Sequence, residues 1–82
     1  MEHNYNTIET YSTSDFYLAC YLKYLDYKIV RLEGSGRHRI FVFADDIRRE
    51  DDLLSYFNND ASVEPLQFTN TIRDMKGLMY KE

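Results

Sequence analysis

Apolar positions along this chain change their period several times, and each change marks an element. Between Phe16 and Leu25 they fall on two sides at once. Leu18, Tyr21, Leu22 and Leu25 share one side, and Phe16, Tyr17, Cys20 and Tyr24 lie nearly opposite when each residue advances by about 100°. Ser12-Thr-Ser-Asp15 precedes this run and predicts a helix start, with a Ser cap and an acid that complements the helix dipole. Ala19, Lys23 and Asp26 remain as a thin wetted strip. A helix apolar on two faces in so short a chain is sandwiched between layers or packs against a second subunit.

Tyr27 to Glu33 and Arg37 to Ala44 read as two strands around Gly34-Ser35-Gly36, where glycine supplies the positive φ angles of hairpin loops. The register decides which side chains share a face. With a three-residue loop and Glu33 facing Arg37, Val30, Leu32, Ile40 and Val42 form the core face. Tyr27, Ile29, Arg31, Arg37, Arg39, Phe41 and Phe43 then form a mixed face of rings and guanidinium groups. A two-residue loop mixes both faces and buries charge, so the three-residue register is preferred.

The acidic stretch Asp45 to Asp52 leads into Leu53, Leu54, Tyr56 and Phe57, a short helix ending near Asn58 and Asn59. Pro65 suits the first turn of a last helix running from Leu66 to Tyr80. There Phe68, Ile72, Met75 and Met79 make an apolar seam, and Thr69, Arg73, Lys76 and Tyr80 follow as a polar, basic stripe. Residues 1 to 11 are polar, but Thr7, Ile8, Thr10 and Tyr11 suit a short edge strand. The expected architecture is a single α+β domain over residues 12 to 80. It runs helix, β-hairpin, helix, helix, with an N-terminal edge strand and the helices on one face of a small antiparallel sheet.

Composition narrows the function. Eighty-two residues make one domain with a small core, and eight Tyr and five Phe with no Trp suit partly buried interfaces. A net charge of −4 argues against coating nucleic acid nonspecifically. The charges are nevertheless segregated, basic from Lys23 to Arg39 and acidic from Asp45 to Asp60. One cysteine permits neither an intrachain disulfide nor a cysteine zinc cluster, and Cys20 reads as a small buried hydrophobe. With no apolar run near a membrane span and a polar start, the expectation is a cytoplasmic protein with neither signal peptide nor anchor.

Ser14-Asp-Phe-Tyr-Leu-Ala19, Phe41-Val-Phe43, Tyr56-Phe-Asn58 and Asn70-Thr-Ile-Arg-Asp-Met-Lys76 together resemble an uncharacterised family of short domains of bacteria and their phages. The likeness spans about residues 12 to 80. It implies a compact stand-alone domain in a bacterial or phage setting and draws attention to Asp15, Asn58, Arg73 and Lys76.

No constellation reads as catalytic. His3 and His38 pair visibly with neither Cys20 nor a carboxylate at a motif spacing. Asp45, Asp46, Glu50, Asp51 and Asp52 lack the spaced ligands and turn glycine of a calcium loop, and a strand rather than a helix follows Gly34-Ser-Gly36. No metal or cofactor is expected. Two binding readings remain. The first is a dimeric interaction protein, a regulator or inhibitor that captures a protein partner, with Phe16, Tyr17, Cys20 and Tyr24 at the dimer interface. The second is a binder of nucleic acid or a small anionic nucleotide. Arg31, Arg37, Arg39, Phe41 and Phe43 on the hairpin would serve it together with Arg73, Lys76 and Tyr80 on the last helix.

Overall fold

The computed structural model describes residues 9–80. Strand β1 (Thr10–Thr13), helix α1 (Phe16–Tyr24), strands β2 (Ile29–Glu33) and β3 (Ile40–Ala44), and helices α2 (Arg49–Phe57) and α3 (Pro65–Met79) follow in that order. The strands form an antiparallel sheet ordered β1-β3-β2. The most apolar strand is thus the central one, and the helices pack over one face. The expected α+β architecture is the one found. Thr7, Ile8 and His3 lie outside the described residues, and β1 continues to Thr13, beyond the expected edge strand.

The extra strand residues move the helix start. Asp15, not a serine, caps α1, its carboxylate accepting from the amides of Tyr17 and Leu18 at 3.1 Å each. At the other end, the amides of Tyr27 and Asp26 donate to the carbonyls of Leu22 and Lys23 at 3.0 and 2.9 Å. Asp26 takes the left-handed conformation, φ 73°, that this helix ending requires. In α3, Pro65 occupies the first turn and the Glu64 carboxylate accepts from the Gln67 amide at 2.7 Å.

Helix α1 is sandwiched within one chain. Its Phe16 ring approaches Phe41 of the sheet, Tyr21 approaches Tyr56 of α2, and Tyr24 meets Phe68 of α3 edge-on at 5.8 Å. Leu18, Ala19, Cys20, Tyr21 and Leu22 are all buried. Ala19 therefore belongs to the core, not to a wetted strip, because a covered helix tolerates an inward small residue on every side. Met75 of the α3 seam is buried, with Phe68, Ile72 and Met79 half-buried around the same cluster.

The hairpin register differs from the expected one. Glu33 pairs with Ile40, not Arg37, so six residues, 34 to 39, join the strands, and a bulge at Val30 lets Ile29 pair with Phe43. Leu32, Phe41, Ile29, Phe43 and Tyr11 thus share the helix-covered face. Ile40, Val42 and Ala44 occupy the other face with Ser12 and Arg31, outside the helix-covered cluster, and of these Val42 is nonetheless fully buried, as expected of it. Gly34, at φ 77°, lets the longer link close, since a Cβ there would run into the His38 carbonyl.

Candidate functional site

Phe41 and Phe43 are fully buried, so the expected face of stacking rings does not exist on the surface. Arg31 lies across from them, where its guanidinium pairs with Glu33 at 2.7 Å. The shift in register separates the rings from the arginines by moving Phe41 opposite Leu32.

Arg37 and Arg39 instead meet the end of α3. With Gly36, Met79 and Tyr80 they line an open groove of about 510 Å³ between the β2–β3 link and the last helical turn. Tyr80 is largely exposed, and the Arg39 Nε is buried without a hydrogen-bond partner among the described residues. Arg73 and Lys76 do not reach this groove. Arg73 donates to Asn70 at 3.1 Å and, with Asp74, Gly77 and Leu78, borders a more open depression of about 420 Å³. Lys76 is exposed.

The acidic stretch is largely consumed by its own chain. Arg49 binds the Asp45 carboxylate through two nitrogens, at 2.9 and 3.1 Å, and its guanidinium carbon lies 4.9 Å from the Tyr11 ring centre. Arg48 holds Asp46 in the same two-pronged way, at 2.8 and 3.1 Å, while lying over the Tyr27 ring at 5.4 Å. That contact keeps the Asp46 carboxyl down at about 2. Tyr27 is buried and donates its hydroxyl proton to Asp52 at 2.6 Å. Burial, and then the bond to Asp52, push its phenol well above the ordinary value. The i,i+4 spacing of Asp45 and Arg49 was a sequence signal for this network. Among the described residues, no group of three or more His, Cys, Asp or Glu side chains is arranged to hold a metal ion.

Of the residues expected at a dimer interface, Cys20 is fully buried, and Phe16 and Tyr24 are half-buried against their own chain. Tyr17 is 55 % exposed. Phe16 and Tyr24 are covered by Phe41 of the sheet and Phe68 of α3, which leaves Tyr17 as the exposed member of the set. Burial raises the Cys20 thiol to about 11, with Lys76 partly opposing, which disfavours a nucleophilic thiolate at neutral pH.

Helix α2 differs from the other two because it has no fully buried residue. Leu53 and Tyr56 turn toward the core cluster, whereas Leu54 and Phe57 are 55 % and 63 % exposed. These four span an arc of roughly 160° at 100° per residue, wider than one contact face requires. That width was legible in the sequence, although it did not single out Leu54 and Phe57. Glu50 and Asp51, exposed in the first turn, place negative charge on the same short helix.

The family model for a domain of unknown function, DUF5659, matches residues 8–81. The chain belongs to this family. No curated protein and no solved structure gives a significant match. In this DUF5659 domain, no helix among the described residues is long and apolar enough to cross a membrane.

Proposed function

We propose that this DUF5659 domain acts by binding a protein partner, as a small regulator or inhibitor, through the outward face of α2. The observation that supports the reading is the unused apolar half of that helix. Leu54 and Phe57, three residues apart and therefore neighbours on the helix surface, are both more than half exposed. Aromatic and aliphatic side chains presented together on a helix suit an apolar groove in another protein. Glu50 and Asp51 match a basic rim on that partner. Sequestration of Phe41 and Phe43 weighs against a stacking surface for bases, the rival role of the hairpin.

Affinity capture from the source cells tests the reading, using the tagged chain beside its Phe57→Gln variant. The expected result is one protein recovered in stoichiometric amount, retained through a high-salt wash and lost with the variant, since apolar contacts are little screened by salt. Recovery of nucleic acid that washes off steeply with salt would point instead to phosphate contacts.

A further inference from the structure

Six arginines lie in the described part of the chain, and their partners divide them. Arg31, Arg48 and Arg49 are each paired with a carboxylate, and Arg73 donates to Asn70. Arg37 and Arg39 make neither an ion pair nor a side-chain hydrogen bond among the described residues, and both line the groove beside Tyr80. The Arg39 Nε is withdrawn from solvent as well as unpartnered, so it has lost its hydration without gaining an acceptor. An incoming anion supplies that acceptor.

We propose that this groove binds a small phosphate monoester, its terminal phosphate held by Arg37 and Arg39 and its organic part resting on Met79 and Tyr80. Two guanidinium forks exceed what a single carboxylate accepts and suit the charge and several oxygens of a terminal phosphate. A volume of about 510 Å³ falls within the range of small-ligand pockets and leaves room beyond the phosphate. Met79 and the Tyr80 ring supply apolar wall for the remainder. The net charge of −4 favours one localised phosphate over a polyanion, whose further charges the acidic surface would repel. The inference goes beyond partner binding by α2 and uses none of its residues. The competing role for both arginines is support of the α3 carbonyl end, where cations are favoured. The buried Arg39 Nε donates to none of those carbonyls.

Titrating the isotopically labelled full chain with phenyl phosphate, followed by amide and guanidinium NMR signals, tests the proposal. Saturable shifts are expected at the Gly36, Arg37 and Arg39 amides, at the Arg39 Nε–H and at Tyr80. Arg39→Lys keeps the charge but removes the Nε donor and the fork, and should weaken binding by about tenfold or more with the melting temperature nearly unchanged. Arg37→Gln, at an exposed position, should weaken binding similarly and keeps the test valid if the Arg39 variant folds poorly. Inorganic phosphate and benzoate should each bind more weakly than phenyl phosphate. Absence of saturable shifts, equal binding of inorganic phosphate, or equal binding of benzoate overturns the proposal. So does wild-type affinity in both variants, or tighter, steeply salt-dependent binding of a 5′-phosphorylated oligonucleotide.

Discussion

Helices α1 and α2 are both nine residues long and rich in apolar side chains, yet they are used in opposite ways. Helix α1 meets the sheet, α2 and α3, and five consecutive residues from Leu18 to Leu22 are buried. Helix α2 touches the core through Leu53 and Tyr56 and leaves Leu54 and Phe57 outside. Apolar content alone therefore does not locate an interaction surface on this fold. The two-sided pattern of α1, which fitted either a sandwich or a second subunit, meets layers of the same chain on most of its surface, with Tyr17 left exposed. The wide arc of α2 is covered on one half only.

The largest effect expected from breaking this comparison is in the core under α1. Phe43→Ala removes a fully buried ring from the central strand and should lower unfolding stability by about 3–5 kcal/mol, read by chemical denaturation. A loss below about 1 kcal/mol would mean that the sheet face is not the one α1 covers.

That prediction depends on the strand register, the least legible part of the sequence. Ile40-Phe-Val-Phe-Ala44 is apolar at every position, so alternation gives no phase for deciding which side faces in. The six-residue link swaps the two faces of β3, and the bulge at Val30 brings Ile29 in beside Leu32, which stays on the core face. Element order and the α3 seam were legible because Phe68, Ile72, Met75 and Met79 keep a helical period and Pro65 marks the start. Arg37, Arg39 and Tyr80 were each recognisable as binding candidates. Their convergence in one groove was not, since it depends on how the link folds back toward the end of α3. Phe41 and Phe43 were drawn into the same candidate face by the wrong register.

A second prediction concerns ionisation of the buried α1 thiol. The folded-state value of Cys20 rises from 9.0 to about 11, so its contribution is fully present below pH 9.0 and is lost as pH rises through about 11. The decline should be on the order of 2 kcal/mol across that window. Tyr27, shifted in the same direction, adds to it at higher pH. Denaturation curves at several alkaline pH values should show a shallower decline for Cys20→Ala than for the wild type. An identical slope in both would remove Cys20 from the account.

A smaller loss is expected where α2 is tied to the core. Tyr27→Phe deletes the hydroxyl that donates to Asp52 and should cost about 1–2 kcal/mol near neutral pH by the same denaturation measurement. No change would show that water replaces this bond without penalty and that the tie contributes little to stability.

The outward half of α2 should contribute least to folding, and that contrast is the account's central claim. Its most direct test is the stability of the double variant Leu54→Gln/Phe57→Gln, which keeps a good helix former at Leu54 while removing the exposed apolar pair. Chemical denaturation should give a loss no greater than about 1 kcal/mol, in keeping with two side chains that are mostly outside the core. A loss of about 3 kcal/mol or more, as for a core truncation, would show that Leu54 and Phe57 hold the domain together and would contradict the claim that this face is left over for a partner.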